Sequence, residues 1–147
     1  MFDRYGLSGE LRILDLGCGT GEITRRLAQR YPQASLLGID ILEVSIARAR
    51  SIASPAAARI RYQVGDAFAL ALADASQDLV VCRHVSQAVP QFERVLQEIH
   101  RVFRPGGVLH LLSEDYGMLH LPQHARDLDR FWLDLPLAYL EAIGCDG

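Results

Sequence analysis

The chain has 147 residues, of which 50% are hydrophobic and 22% are charged, and its formal net charge is −3 at pH 7. This composition is ordinary for a soluble globular domain, and the apolar segments are too short and too interrupted to cross a membrane. The net negative charge gives no broad attraction for nucleic acid, and the N-terminal residues lack the pattern of a signal peptide. We therefore expect one cytoplasmic domain over residues 1–147, without nucleic-acid or membrane partners.

Apolar runs of strand length alternate with segments of helical periodicity between residues 11 and 112. The predicted strands are Leu11–Leu16, Ser35–Asp40, Arg59–Val64, Asp78–Cys82 and Val108–Leu112. The predicted helices are Glu22–Tyr31, Leu42–Ser54 and Phe92–Phe103. Strands that alternate with helices indicate a parallel sheet with helices on both faces, in which ligands bind at the carboxyl ends of the strands.

The periodic pattern is punctuated near its end and weakens after the fifth strand. Pro105-Gly106-Gly107 is predicted to form a turn before that strand. Residues 114–117 are predicted to form a loop, and Ala125–Leu135 a helix that is interrupted near Pro136. No further strand is predicted after these residues.

The most informative segment is Asp15–Gly21, where a buried strand ends at three glycines, Gly17, Gly19 and Gly21. Glycine allows a tight turn and lets ligand atoms approach backbone N–H groups without a Cβ in the way. The helix that follows aims its N-terminus at the same ligand. The segment therefore predicts a ligand-binding loop.

Carboxylates follow the next two strands of the predicted sheet. Asp40 ends the second strand, where a carboxylate can accept hydrogen bonds from both hydroxyls of a ribose, and Asp66 follows the third strand. A single acid after a strand is often only a helix cap or a turn former. Two acids at successive strand ends, together with the glycine loop, favour a nucleoside ligand.

From about Leu11 to about Asp115 these motifs resemble those of the class I S-adenosylmethionine-dependent methyltransferases, in their small-molecule branch. The resemblance implies an α/β fold, a three-layer Rossmann-like sandwich with strand order 3-2-1-4-5. It also implies S-adenosyl-L-methionine as the cofactor, S-adenosyl-L-homocysteine as the product and a small-molecule methyl acceptor. The residues that it assigns to the cofactor are Asp15, Gly17, Cys18, Gly19, Gly21, Asp40, Ile41, Asp66, Ala67 and Arg83.

In this resemblance each part of the cofactor has its own residues. The glycine loop embraces the methionine part, and Asp40 binds the two ribose hydroxyls. Ile41 packs on the adenine face, Asp66 accepts from the adenine amino group, and Ala67 offers its backbone N–H to the ring.

The strand Asp78–Cys82 resembles the fourth motif of the family, which implies that Arg83, His84 and Gln87 lie beside the transferable methyl group. Arg83 could hold an anionic group of the acceptor, and His84, whose imidazole can accept a proton, could act as a general base or hold the loop in place. We name Arg83 and His84 as the catalytic candidates. Residues 114–116 are further candidates for the acceptor side.

Two other functions stay open at this point. Dinucleotide-binding oxidoreductases also combine a glycine turn with an acid about 20 residues further on. Their fingerprint is G-x-G-x-x-G, however, whereas this chain has G-x-G-x-G, and Asp66 has no role in it. The second alternative is a cofactor-binding module or a fragment without full catalytic competence, because the final antiparallel strand pair of the family is not recognisable.

The absence of a recognisable strand pair after the fifth strand has a consequence for association. A fifth strand at the edge of the sheet would expose unpaired backbone groups, which favours a homodimer that covers this edge.

Cys18, Cys82 and Cys145 form no paired C-x-x-C motif, and His120 and His124 lack partners at ligand spacing. We therefore expect no metal ion.

Overall fold

The chain is described as a computed structural model that covers residues 5–113, 139 and 142–144. Its strands and α-helices, in chain order, are β1 (Arg12–Leu16), α1 (Glu22–Arg30), β2 (Ser35–Asp40), α2 (Glu43–Ser51), β3 (Ile60–Val64), β4 (Gln77–Arg83), α3 (Phe92–Val102) and β5 (Phe103–Leu112). The strands form one sheet in the order β3-β2-β1-β4-β5, and every described pairing is parallel. The predicted fold class and strand order are confirmed.

The centre of the sheet is buried on both faces because most side chains of its central strands, β1 and β4, are apolar. Ile13 of β1 contacts one hydrophobic cluster, which contains Leu27 of α1. Leu14, the next residue, contacts a second cluster, which contains Val95 and Ile99 of α3. Successive side chains of a strand point to opposite faces, so α1 and α3 cover the two sides of the sheet. This arrangement leaves the carboxyl ends of the strands open at one edge of the sandwich.

Two boundaries differ from the prediction by more than one residue. The helix that was predicted to reach Ser54 ends at Ser51, because Ile52 already has an extended backbone. The fifth strand begins at Phe103, not at Val108, because Phe103 pairs with Gln77 before the register shifts. The predicted turn at residues 105–107 is therefore an irregularity within β5.

Several predictions lie outside the described residues or are not tested by the fold. The predicted loop at 114–117 and the predicted helix Ala125–Leu135 fall outside the described part of the chain. The homodimer, the single domain over 1–147 and the cytoplasmic location stay predictions. In the described residues, no helix combines the length and the apolar character that a membrane crossing requires.

Candidate functional site

A cavity of about 350 Å³ opens at the carboxyl ends of β1, β2 and β3, beside the segment that follows β4. The predicted site residues that line it are Gly17, Asp40, Ile41, Asp66, Ala67 and His84. The topology explains this grouping, because the carboxyl ends of parallel strands meet at the same edge of a sheet. Residues from four separate stretches of the chain thus share one cavity.

The glycine loop is fixed to the end of β2 by backbone hydrogen bonds. The N–H groups of Gly17 and Cys18 donate to the Ile39 carbonyl oxygen, at 2.8 and 3.0 Å. Gly17 has a left-handed backbone, with φ of 72°, and a Cβ at this position would collide with the Val85 side chain. The loop can therefore pass close to the segment after β4 only because residue 17 is glycine.

Asp40 joins the glycine loop to the start of α2. Its Oδ2 accepts a hydrogen bond from the Gly19 N–H at 2.8 Å, and its Oδ1 accepts one from the Leu42 N–H at 2.9 Å. Each carboxylate oxygen has two lone pairs, so each keeps one for a further donor. The backbone therefore holds the carboxylate in place, and two accepting positions remain for ligand hydroxyls.

The end of β3 supplies the next polar wall of the cavity. Asp66 Oδ1 accepts a hydrogen bond from the Phe68 N–H at 2.8 Å, which is the geometry of a turn stabilised by its own aspartate. Within the described residues the Ala67 N–H has no hydrogen-bond partner. Next to them Ile41 is 68% exposed, so an apolar surface also faces the cavity. These groups can bind a flat, polar-edged ring on its face and along its edge.

Asp15 lies behind the loop and does not line the cavity. It is 3% exposed, and its Oδ2 accepts a hydrogen bond from Thr24 Oγ1 at 2.5 Å. Burial raises the pKa of Asp15 to about 6, against the lowering effects of the Thr24 hydrogen bond and the positive charge of Arg83. Asp15 therefore ties the end of β1 to the first turn of α1, and supports the loop from below.

Cys18, Gly19 and Gly21 also belong to the loop and not to the cavity lining. The Cys18 thiol donates to the Gly19 carbonyl oxygen at 3.7 Å, and burial raises its pKa to about 12. The thiol is protonated at neutral pH and is a poor nucleophile. The Gly21 N–H donates to the Cys18 carbonyl oxygen at 2.9 Å, which closes the turn before α1.

The segment after β4 brings the two catalytic candidates to the site. His84 has a left-handed backbone, with φ of 56°, and its N–H donates to the Leu112 carbonyl oxygen at 2.8 Å. Its exposed side chain lies on the wall of the cavity. Arg83 does not line the cavity, and its buried Nε has no hydrogen-bond partner in the described part of the chain. Gln87 is buried and accepts from Ser113 Oγ at 3.4 Å.

Three residues that hold the site were missed from the sequence. Thr24 is the hydrogen-bond partner of Asp15, Val85 packs against Gly17, and the Tyr62 hydroxyl donates to the Gly21 carbonyl oxygen at 3.2 Å. The alternation of β3 could have placed Tyr62 on the α1 face of the sheet. No local pattern pointed to Val85, because its contact is made across the site.

Comparisons with known proteins decide the family. A family profile described as a methyltransferase domain matches residues 7–138. The chain belongs to the class I S-adenosylmethionine-dependent methyltransferases. It is 40% identical to the trans-aconitate 2-methyltransferase of Deinococcus radiodurans over 98 residues, which cover 67% of this chain and 36% of that protein. It is 37% identical to the ubiquinone/menaquinone biosynthesis C-methyltransferase UbiE of Dinoroseobacter shibae over 135 residues, covering 89% and 53%.

The structural comparison agrees with this family. An S-adenosylmethionine-dependent methyltransferase from Mesorhizobium loti superimposes with a TM-score of 0.66 and 31% identity, covering 74% of this chain and 49% of that one. The family and its cofactor, S-adenosyl-L-methionine, are therefore confirmed. The methyltransferase domain spans about a third to a half of the length of the curated relatives quoted above.

The cavity of this methyltransferase domain fits the cofactor in its polar groups. The two accepting positions of Asp40 match a pair of ribose hydroxyls, and the unpaired Ala67 N–H matches an acceptor atom of adenine. The exposed side chain of Ile41 provides an apolar surface for the ring. In the described residues, no group of three His, Cys, Asp or Glu side chains could hold a metal ion.

Proposed function

We propose that this domain binds S-adenosyl-L-methionine at the ends of β1, β2 and β3 and transfers its methyl group to a small organic acceptor. The observation that carries the proposal is the Asp40 carboxylate, which two backbone N–H groups orient at the cavity wall while two accepting positions stay open. A carboxylate held in this way is oriented before the ligand arrives, which lowers the entropy that binding costs. When bound, the cofactor supplies an electrophilic methyl group on a sulfonium.

The other cavity residues divide the cofactor between them in this proposal. Asp66 accepts from the adenine amino group, the Ala67 N–H donates to the ring, and Ile41 packs on the ring face. All three lie next to Asp40 on the wall of the same cavity. Binding of the adenosine part therefore depends on the loops after β2 and β3.

The residues after β4 act on the acceptor in this proposal. The main task of the protein is to align the acceptor with the bond that breaks and to exclude water. His84, on the cavity wall, is placed to accept a proton from an acceptor that must lose one. A small organic acceptor is supported by the relatives, which are named for trans-aconitate and for ubiquinone or menaquinone biosynthesis.

Calorimetric titration with S-adenosyl-L-homocysteine tests the binding step. We expect Asp40→Asn to weaken binding by about 10- to 100-fold, because hydrogen bonds to a charged group contribute about 1.5–3 kcal/mol. Asp40→Ala also weakens binding strongly, but it leaves the Gly19 and Leu42 N–H groups without their acceptor. Asp78→Asn is the matched control, since Asp78 also accepts a backbone hydrogen bond, from the Arg12 N–H, near the start of β4.

Unchanged affinity in Asp40→Asn would contradict the binding mode. Transfer of a labelled methyl group to trans-aconitate or a demethylated quinone tests the second step. Saturable binding without transfer to any acceptor would favour the cofactor-binding module, for which the partial coverage of the relatives is the supporting observation. Binding of a reduced nicotinamide cofactor instead would favour the oxidoreductase.

A further inference from the structure

A second cavity, of about 440 Å³, lies on the sheet near the amino ends of the strands. Its lining includes the first residues of β1, β2 and β4, which are Arg12, Ser35 and Gln77. The candidate cofactor cavity lies at the carboxyl ends of β1, β2 and β3. The two cavities therefore occupy opposite ends of the sheet, and a ligand can bind in the second without displacing the cofactor.

The alternation of side chains along the strands brings two arginines to one face of the sheet at this cavity. Leu14 of β1 packs in the cluster that contains α3, so Arg12, two residues earlier, lies on the same face. Ile60 of β3 packs against the cluster that contains α1, so Arg61, the next residue, lies on the α3 face as well. Both arginines line the cavity, with β2 between their strands.

The connection from β3 to β4 supplies no helix to this face. The helices α1 and α2 connect β1, β2 and β3, and right-handed connections in one direction across the sheet place both helices on the opposite face. Residues 65–76, which connect β3 to β4, contain no α-helix. Arg12 and Arg61 are exposed as a result.

The lining of this cavity is positively charged, although the whole chain has a net charge of −3. The described residues that line it include three arginines, Arg12, Arg59 and Arg61, and no aspartate or glutamate. The Arg59 guanidinium donates to three backbone carbonyl oxygens. Arg12 and Arg61 have no carboxylate within 4.0 Å among the described residues. Because like charges repel, an anion bound between these side chains would lower their electrostatic free energy.

The positions of Arg12 and Arg61 indicate which anion fits. Their strands, β1 and β3, are two strand spacings apart, which is about 10 Å. A guanidinium binds a carboxylate or a phosphate, but a single carboxylate has only two oxygens in one plane. A diphosphate carries more charge, and its oxygens point in several directions along a longer group. Two arginines on separate strands can therefore bind one diphosphate together.

The remaining lining residues are suited to an organic molecule attached to such a group. Ser35 and Gln63 line the cavity with side chains that can donate hydrogen bonds, and Leu37 and Leu72 add apolar surface. The volume is within the range of small-molecule sites, about 300–1,000 Å³. We propose that this cavity binds a small molecule that carries a diphosphate group. The site does not depend on the proposed function, because it lies at the opposite end of the sheet.

Calorimetric titration of the full chain with inorganic pyrophosphate at low salt tests the proposal. We expect Arg12→Gln and Arg61→Gln each to weaken binding by about 3- to 10-fold, and the double variant by about 10- to 100-fold, because each removes hydrogen bonds to a charged group. Arg48→Gln is the matched control, since Arg48 is an exposed arginine on α2 that has no ion pair in the described residues and does not line the cavity. It should change the affinity by less than about twofold.

The variant Ser35→Glu tests the same cavity without the removal of an arginine. Ser35 is paired with Arg12 in the register of the sheet, so the new carboxylate would repel the anion, and pyrophosphate binding should fall by at least about 10-fold. Urea denaturation of each variant checks that it is folded. Tricarballylate, which has three carboxylates and no phosphate, should bind the unmodified chain at least about 10-fold more weakly than pyrophosphate.

Four results would overturn the proposal. The first is the absence of pyrophosphate binding to the unmodified chain, and the second is an equal loss of affinity in Arg48→Gln and Arg61→Gln, which would indicate a general attraction to positive surface. The third is equal affinity for tricarballylate, and the fourth is competition between pyrophosphate and S-adenosyl-L-homocysteine, which would mean that both use the cofactor cavity. If the chain does not bind S-adenosyl-L-homocysteine, the proposed function fails, whereas the pyrophosphate titrations still decide this site.

Discussion

The two sides of the cavity differ in how their polar groups are held. On the cofactor side, Asp40 and Asp66 accept backbone hydrogen bonds from their own loops, so their positions are set without a ligand. On the side after β4, His84 has a left-handed backbone, and Arg83 Nε and Ser86 Oγ are buried without partners in the described residues. The carboxylates of the first side are held in place by backbone hydrogen bonds, whereas the second side has a strained backbone and buried side-chain atoms without partners in the described residues. Such features are typical of sites where ligands bind or react.

The largest expected effect comes from a methyl group added at Gly17, where the glycine loop on one side of the cavity contacts Val85 on the other side. We expect Gly17→Ala to lower the free energy of unfolding by about 2–5 kcal/mol, because a left-handed alanine costs about 1–2 kcal/mol and overpacking against Val85 adds about 1–3 kcal/mol. Gly19→Ala is the control in the same loop: its φ is 51°, and its Cβ would meet nothing within 4 Å. It should cost only the backbone term of about 1–2 kcal/mol.

Urea denaturation measures this difference. Adding Val85→Ala to Gly17→Ala should recover part of the loss, because it removes the colliding methyl group. Equal losses in Gly17→Ala and Gly19→Ala would show that the two sides of the cavity are not in tight contact through Val85.

A smaller effect is expected from the buried acid below the loop, and it depends on pH. The pKa of Asp15 is about 6 in the folded chain and 3.8 as its ordinary value, so the folded state binds the extra proton between these values. The contribution of Asp15 to stability therefore falls as pH rises from about 4 to about 6, by about 3 kcal/mol, and is constant above that range. The side chain in Asp15→Asn does not titrate, so this variant lacks the pH-dependent contribution to stability.

The variant Asp15→Asn should therefore gain stability relative to the unmodified chain as the pH rises from about 4 to about 7. Parallel denaturation series of the two chains without cofactor measure this difference directly, because the other titrating groups cancel. A constant difference between them across this range would mean that Asp15 is not desolvated. The cofactor side would then be less rigid than its hydrogen bonds indicate.

The smallest expected effect concerns the strained backbone on the other side. His84→Gly should be more stable to denaturation than His84→Ala by about 1 kcal/mol, because glycine adopts a φ of 56° without the penalty of a Cβ. Both variants lack the imidazole, so their comparison isolates the backbone. If His84 takes a proton from the acceptor, both should lower kcat more than they weaken cofactor binding. Full activity in either variant would remove His84 from the mechanism.

The parts of the fold that were predicted correctly depend on local patterns. β2 was predicted residue for residue, because Ser35–Asp40 is an apolar run that ends at an acid. Asp40 and Asp66 were predicted to share a site because parallel strands end at the same edge, and both line the cavity. Their roles as ligands to the cofactor stay predictions.

The parts that were missed depend on contacts between distant residues. The predicted start of β5 was wrong because Phe103 pairs with Gln77. The sequence gives no sign of this pairing, since residues 105–107 have the pattern of a turn. The double role of Asp40 was not foreseen, because the Gly19 N–H reaches it only after β1 and β2 pair. The packing of Val85 against Gly17 was not foreseen either, because it also joins distant parts of the chain. Hydrophobic periodicity predicts which face of a strand or helix a side chain occupies, but it does not predict which loop packs over that side chain.

One aromatic ring links two glycines that lie far apart in the sequence. Tyr62 fills the space above both Gly21 and Gly38, and a Cβ at either position would collide with its side chain. The backbone of Gly38 is not left-handed, so only its neighbours, Tyr62 and the Cys18 sulfur, exclude a larger residue there. Replacement of Tyr62 by a small residue would remove most of that restriction. Among relatives of this chain, we therefore expect alanine at position 38 to occur together with a small side chain at position 62.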